Sequence, residues 1–212
     1  GGQSEYALMG FFGRINYDYK GRYLLEASGR YDGSSRFAPG SRWGFFPSMS
    51  AGWRISEEPF FEPAKKVVSN MKIRGSVGTL GNQNVANYAY LRTISVNKFG
   101  FTFGEGSNTA QYSGISAPNS GSLTWETTYQ YNVGLDASFF QNRLNLTAEA
   151  YIRDTKNMLV QGNALPSVYG AAAPKENSAD LRTRGYEISL GWRDSFQLAG
   201  KEFNYNVSGS VS

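Results

Sequence analysis

Hydrophobic and polar residues alternate with a period of two along most of the chain, and this pattern recurs eight times. Such alternation is typical of β-strands with one apolar face and one polar face. Most of these runs hold nine residues or more, whereas an ordinary soluble strand has about five or six. The pattern predicts strands at residues 7–17, 23–31, 43–54, 71–79, 123–139, 144–152, 186–192 and 203–211.

The predicted connections alternate between a set at one end of the strands and a set at the other. The first set is mostly short, and the second is long. We assign 20–21, 55–70, 141–142 and 195–200 to the first set, and 32–42, 80–122 and 154–184 to the second. Short turns at one rim and long loops at the other are typical of outer-membrane barrels, whose long loops lie outside the cell.

The connection 55–70 is unusual for a barrel turn because it contains helix signals. Ser56 is a candidate helix N-cap, and residues 62–68 are predicted to form a short helix with basic residues near its end. We interpret the segment either as a helical plug over this rim or, more simply, as a capped surface turn.

Alternation by itself fits a soluble β-sandwich as well as a membrane barrel. Two features favour the barrel: the strands match the ~9–11 tilted residues that cross an outer membrane, and aromatic residues lie near the ends of the apolar faces. These aromatic residues are Tyr17, Tyr23, Tyr31, Trp43, Trp53, Trp125, Phe139 and Trp192. The polar faces carry fourteen charged residues and must meet water: Arg14, Arg22, Glu26, Arg30, Arg54, Lys72, Arg74, Glu126, Asp136, Arg143, Glu149, Arg153, Glu187 and Arg193.

Composition supports an all-β protein and argues against an enzyme. The 212 residues include 25 Gly, 14 Tyr and 14 Phe, and this density of glycine and aromatics suits strands and turns. The chain has no Cys and no His, which removes disulfides, thiolate zinc sites and the usual general base. The net charge of +4 is scattered, so nothing favours nucleic acid as a partner. No apolar run reaches the ~20 residues of a transmembrane helix.

The carboxylates offer no catalytic pair. Glu57 and Glu58 are adjacent and would point apart on a helix, while Glu126 and Asp136 are separated by roughly 33 Å of strand. Residues 32–37 lack the ligands of a calcium loop and the lysine of a phosphate loop, so they predict a tight turn. We therefore expect no catalytic residue, no cofactor and no metal site.

Aromatic and amide side chains are concentrated in the long loops. Flat rings beside amides suit stacking and hydrogen bonding on a sugar or a peptide, although turns commonly use the same residue types. The candidate contacts are Tyr88, Tyr90, Asn108, Gln111 and Tyr112 in the loop 80–122, and Tyr169 in the loop 154–184.

Several segments carry a resemblance to a known family. They are Gly-Arg-Tyr-Leu-Leu at 21–25, Arg-Tyr-Asp-Gly-Ser-Ser-Arg-Phe at 30–37, the run 46–60 from Phe46 to Phe60, and residues 123–128, 134–136, 143–147 and 184–187. In order and over nearly the whole chain, they resemble the SusC/RagA class of TonB-linked outer-membrane transporters. The resemblance implies a barrel of roughly 22 strands, an N-terminal plug domain, a SusD-like surface lipoprotein as a lid, and import of glycans or peptides driven by the TonB complex.

The expected fold is therefore all-β: an antiparallel transmembrane β-barrel segment of about eight strands within a larger barrel. Residues 1–212 form part of the barrel domain, and the plug domain, TonB box, leader and closing strands are expected to lie outside this chain. Its beginning lacks leader features and its end falls within an alternating run, as expected for a piece of a longer protein. The apolar faces would meet the lipid bilayer and the charged faces the lumen. The loops 80–122 and 154–184 would contact the lid or the cargo.

Two other classes stay open at this point. One is a passive porin-like channel or a complete eight-stranded barrel, whose narrow interior would have to pair nearly all fourteen charges. The other is a soluble β-sandwich that binds carbohydrate. Under the transporter reading, Leu25→Arg or Ile188→Arg should impair membrane insertion more than Arg→Leu at Arg30 or Arg74.

Overall fold

The computed structural model describes residues 3–91, 94–102, 109–115, 123–164, 166, 173–198 and 200–212. Within them lie ten β-strands and two short 3₁₀ helices, η1 and η2. The elements are β1 (Leu8–Tyr19), β2 (Tyr23–Ser34), β3 (Trp43–Arg54), η1 (Ile55–Glu57), η2 (Pro59–Lys66), β4 (Val68–Asn82), β5 (Ile94–Thr102), β6 (Thr109–Ile115), β7 (Glu126–Phe139), β8 (Leu144–Gln161), β9 (Lys175–Leu198) and β10 (Lys201–Val211). No helix in these ranges is long and apolar enough to cross a membrane.

Eight strands form one antiparallel sheet in the order β1-β2-β3-β4-β7-β8-β9-β10. The prediction of an all-β antiparallel segment is confirmed, and β3 has the predicted bounds. β5 and β6, which lie between β4 and β7 in the sequence, pair with each other in a separate two-stranded antiparallel sheet. The prediction of a continuous loop at 80–122 was therefore wrong for 94–102 and 109–115, because backbone pairing within the segment gives it a sheet of its own.

The predicted tight turn at Lys20-Gly21 is confirmed, and its geometry explains the residue choice. The N–H of Arg22 donates a hydrogen bond to the carbonyl of Tyr19 at 3.0 Å, and both central residues have positive φ, 55° and 64°. Two positive φ angles define the turn type whose twist matches that of a two-stranded hairpin. The predicted link Gln141–Asn142 lies within a longer connection, residues 140–143, in which Phe140, Gln141 and Asn142 have positive φ of 53°, 58° and 67°.

Two strands extend far beyond their predicted ends. β8 continues from the predicted end at residue 152 to Gln161, and β9 occupies Lys175–Leu198 rather than 186–192. The predicted loop 154–184 was therefore wrong for most of its length, and the connection 195–200 is reduced to the residues between Leu198 and Lys201. Polar cross-strand pairs such as Asp154 with Arg182 hold together the extensions that replace the predicted loop, so apolar alternation gave no sign of these extensions.

The sheet has two chemically distinct faces, assigned from the strand alternation. The outer face carries Phe11, Ile15, Leu25, Met49, Val133, Leu146 and Ile188, and most of these side chains are exposed. On β8, this face is apolar from Leu144 to Ile152 and first becomes charged at Asp154. Nine residues span about 30 Å of strand, or roughly 23 Å along the axis of a barrel tilted by ~40°. That height is close to the apolar band of about 25 Å in outer-membrane barrels.

The connection 55–67 differs from its prediction. Ser56 is not an N-cap: it lies inside η1, buried, and its hydroxyl donates a hydrogen bond to Oδ1 of Asn70 at 2.9 Å. The predicted helix at 62–68 is instead the 3₁₀ helix Pro59–Lys66. The Glu58 carboxylate between η1 and η2 bonds to Tyr23 and Trp53, which belong to the outer face. The segment therefore packs against outer-face residues at the short-connection end of the strands, and the interpretation as a plug was wrong.

Candidate functional site: the inner wall and the two rims

The inner face, opposite to the outer face, is mostly polar and charged. At its centre, the Arg74 guanidinium on β4 donates to Asp136 on β7 at 3.2 Å and to Glu149 on β8 at 2.6 Å. One arginine thus links three neighbouring strands through two charge-assisted hydrogen bonds, which are stronger than neutral ones. Asp136 is part of a polar wall, as the sequence predicted.

A concavity of about 530 Å³ lies on this face beside Arg74. Its polar lining comes from five strands and includes Asn16, Glu26, Ser50, Lys72 and Asn132. Charged, amide and hydroxyl groups together suit a hydrated passage or a polar surface in contact with it, rather than an apolar ligand. Within the described ranges no group of three or more Asp or Glu side chains is arranged to hold a metal ion.

At the rim with the long connections, a small hydrophobic cluster joins three loops to the sheet. It consists of Phe37, Phe46, Val85, Leu123 and Trp125. The Trp125 ring lies 5.3 Å from the ring of Phe37 and 5.4 Å from that of Phe46, between centroids. The indole N–H of Trp125 donates to the carbonyl of Arg42 at 3.0 Å. This packing fixes the path of residues 35–42 and 83–91 at the rim.

The cluster corrects two assignments and adds a residue that the pattern missed. Leu123 and Trp125 were predicted on the lipid-facing side of a strand, but β7 begins at Glu126 and Trp125 is only 7% exposed. Because Trp125 precedes the strand, its position in the alternation does not determine its face; it packs on Phe46, an inner-face residue of β3. Phe37 is completely buried, although the sequence indicated only a turn there.

The extensions of β8 and β9 form a projecting hairpin with charged side chains on both strands. Arg182 donates two hydrogen bonds to the Asp154 carboxylate, at 2.6 and 2.7 Å, and Lys156 donates to Asp180 at 2.6 Å. The bonds from Arg182 lower the pKa of Asp154, and the bond from Lys156 lowers the pKa of Asp180. Charges at these positions indicate that the hairpin stands in water beyond the apolar band.

Asn177 attaches this projecting hairpin to the start of β7. Its side-chain oxygen accepts from the backbone N–H of Thr124 at 3.1 Å, and its amide group donates to the Thr124 carbonyl at 3.1 Å and to the Asn157 carbonyl at 2.7 Å. A single amide thereby satisfies three backbone groups on two segments. The long-connection rim is consequently braced by hydrogen bonds as well as by the hydrophobic cluster.

The predicted contact residues are distributed unevenly in the structure. Tyr88 has an exposed ring, while its hydroxyl accepts a hydrogen bond from the backbone N–H of Glu5 at 3.1 Å; Tyr90 is half-buried nearby in sequence. Tyr112 and Gln111 lie on β6, of which only the backbone is described. Asn108 and Tyr169 lie outside the described residues. Their role as contacts stays a prediction.

At the opposite rim, Glu58 is a polar centre that the pattern did not identify. Its carboxylate accepts hydrogen bonds from the Tyr23 hydroxyl at 2.7 Å, the Trp53 indole N–H at 3.1 Å and the Arg22 guanidinium at 3.5 Å. The bonds from Tyr23 and Trp53 hold the pKa of Glu58 below its ordinary value. The only sequence signal for this residue was its place in the family-like segment 46–60.

The antiparallel sheet has an exposed apolar outer face, aromatic residues near the ends of its strands and a charged inner face. These features together define the wall of a β-barrel membrane protein. The chain belongs to the family described as TonB dependent receptor-like, beta-barrel, whose sequence profile matches residues 1–212. This membership confirms the resemblance found in the sequence, including its SusC-like character.

Curated relatives support the same membership. TonB-dependent receptor SusC of Bacteroides thetaiotaomicron is 33% identical over 219 residues, covering 99% of this chain and 21% of that protein. TonB-dependent receptor P39 of Formosa agariphila is 33% identical over 213 residues, covering 96% of this chain and 19% of that protein. The chain therefore spans about a fifth of the length of these relatives.

Solved structures agree with the fold. The RagAB peptide transporter superposes with a TM-score of 0.78 at 28% identity, covering 97% of this chain and 22% of that one. The siderophore receptor PirA of Acinetobacter baumannii has a TM-score of 0.59 at 16% identity, covering 96% of this chain and 28% of that one, and shows the fold alone. In both, the matched region is a fraction of a larger chain.

Proposed function

We propose that this chain forms part of the wall of an outer-membrane transporter that imports glycans or peptides with energy from the TonB complex. The observation that carries the proposal is the family match over residues 1–212, on a sheet whose outer face is apolar and whose inner face is charged. The wall supplies a hydrated conduit. The TonB complex acts through a plug domain that belongs to the longer protein.

The long-connection rim is the proposed site of contact with a SusD-like surface lipoprotein and with cargo. Support comes from the cluster around Trp125 and from Asn177, which give the rim a defined shape. The RagAB neighbour is described as a peptide transporter, which supports a peptide as cargo, and the resemblance to the SusC/RagA class supports the lid and a glycan or peptide cargo. Tyr88, Tyr90, Asn108, Tyr112 and Tyr169 are the proposed ring and amide contacts at this rim.

Uptake by cells tests the proposal. The gene for the full-length protein is deleted and restored in its own host, and import of fluorescent oligopeptides and fluorescent oligosaccharides is measured with and without a functional TonB complex. We expect one of the two cargo classes to enter only when both the protein and TonB are present. Uptake that persists without TonB supports the porin-like channel instead, and a full-length protein that stays in water without detergent supports the β-sandwich.

A further inference from the structure

The outer face ends, at the rim with the short connections, in a row of stacked aromatic rings. The ring of Tyr23 lies 6.4 Å from the ring of Trp53 with an interplanar angle of 11°, and 6.4 Å from the ring of Tyr19. The Lys20 ammonium lies 5.2 Å from the Tyr19 ring centroid. Rings with a polar tip and a basic neighbour are typical of the boundary between the apolar and polar layers of a membrane.

The polar tips of this row are not left to solvent. The Tyr23 hydroxyl and the Trp53 indole N–H both donate to the carboxylate of Glu58, which immediately precedes η2. Two hydrogen bonds to one charged acceptor hold the start of η2 directly beside the aromatic row. The side chains of η2 next to the aromatic row are therefore in the same medium, lipid or water, as the row itself.

The segment 59–67 exposes large apolar side chains and carries basic residues near its end. Phe61 is turned inward and only 9% exposed, whereas Phe60 is 65% exposed and Val67 51%. Lys65 and Lys66 occupy the last turn, and Lys66 is exposed. Exposed Phe and Val next to lysines are characteristic of segments that lie in a membrane interface.

A second contact extends this strip along the rim. The N–H of Phe140 donates to the carbonyl of Val67 at 2.9 Å, and the exposed ring of Phe140 lies 6.3 Å from the ring of Trp192. The segment 59–67 is thus joined to outer-face aromatic residues on both sides, to Trp53 through the Glu58 carboxylate and to Trp192 through Phe140. Because the segment borders the apolar band of the outer face, which is proposed to meet lipid, lipid is expected to cover the segment as well.

We propose that the segment 59–67 is an interfacial anchor, which inserts Phe60 and Val67 among the phospholipids of the leaflet at the short-connection rim. The exposed ammonium of Lys66 meets lipid phosphate, because lipid headgroups attract basic residues next to an apolar insertion. Glu58 is a positioning residue that fixes the anchor to the barrel wall. This inference rests on the proposed membrane location of the outer face.

Spin labels on single cysteines in the full-length protein test the anchor, since this chain contains no Cys of its own; any thiol elsewhere is replaced by Ser. Labels replace Phe60 and Val67, Glu62 as a water-facing control on the same helix, and Leu25 as a lipid-facing reference. The protein is reconstituted in vesicles of phosphatidylethanolamine and phosphatidylglycerol. We expect collisions with oxygen to exceed those with a water-soluble nickel complex at 60, 67 and 25, and the reverse at 62.

The reference label separates the two claims. If the label at 25 lies in lipid while those at 60 and 67 lie in water, the anchor is refuted and the membrane location stands. If the label at 25 lies in water, the proposed function itself is refuted. Labels at 60 and 67 that collide with neither oxygen nor the nickel complex are buried in protein, and this result also refutes the anchor. Glu58→Gln with the label at 60 should move it toward water, while heat-modifiable migration on gels shows that the barrel still folds.

Discussion

Replacing Ile188 with arginine should destabilise the barrel strongly, and the same change at the next residue should not. Ile188 pairs with Ala148, which is the centre of the apolar band from Leu144 to Ile152 on β8. A guanidinium at mid-depth on a lipid face costs about 2–4 kcal/mol, so the folding equilibrium constant should fall by roughly 30- to 900-fold. Ser189 lies on the inner face and pairs with Thr147, so Ser189→Arg keeps its charge in water.

The measurement is urea titration of the full-length receptor folded into phospholipid vesicles, followed by tryptophan fluorescence and heat-modifiable migration on gels. Leu25→Arg should cost less than Ile188→Arg, because Leu25 is only two residues from Tyr23 in the aromatic row and the cost falls toward the interface. Equal destabilisation by Ile188→Arg and Ser189→Arg would refute the assignment of the two faces. A larger loss from Leu25→Arg than from Ile188→Arg would refute the depth assignment.

Three further outcomes follow from other parts of the structure. Phe37→Ala removes a completely buried ring, so it should destabilise the packing of the long-connection rim by about 3–5 kcal/mol. Proteases should then cut the rim while the barrel strands stay resistant to digestion. An unchanged digestion pattern would contradict this role of Phe37. The pKa of Asp154 is lowered by Arg182, so this pair stabilises the folded hairpin above the unfolded pKa of about 3.9 and loses that contribution as the pH falls through the lower folded value. The protection factors of the hairpin amides, which correct for the slower intrinsic exchange in acid, should therefore fall as the pH is lowered, and Asp154→Asn should remove this pair's contribution to that pH dependence. Gly21→Val places a branched side chain at φ 64° and should cost about 1–2 kcal/mol, seen as a lower urea midpoint; no shift would argue against this turn geometry.

The strands whose two faces meet different media, one apolar and one aqueous, could be predicted from the sequence. Alternation identified both faces and located the eight strands of the sheet. Its breaks at Lys20-Gly21 and Gln141-Asn142 marked two turns, in which Gly21 and Asn142 are residue types that tolerate positive φ. The ends of β8 and β9 could not be predicted. Above the apolar band, pairs such as Asp154 with Arg182 hold the strands together, and these pairs produce no hydrophobic period.

The rims were the least predictable because they depend on partners distant in sequence. Glu58 accepts a hydrogen bond from Tyr23, 35 residues away, and Trp125 donates one to Arg42, 83 residues away. A local pattern assigned Trp125 to a lipid-facing strand, although tertiary packing buries it. Arg74→Leu is expected to impair membrane insertion less than Leu25→Arg, but nothing in the sequence indicated that it would also leave the carboxylates of Asp136 and Glu149 without this cation.

β4 hydrogen-bonds directly to β7 from Val68↔Phe139 to Asn82↔Glu126, so the whole stretch between them leaves and rejoins the wall at adjacent points. The free energy of closing such a detour rises only slowly with its length. The part of that stretch between the packed segments 83–91 and 123–125 is accordingly a site for insertions: a shorter or longer sequence there need not alter the registry of any wall strand. A barrel wall built this way can take up a new segment at its rim while the pairing of its strands is inherited unchanged.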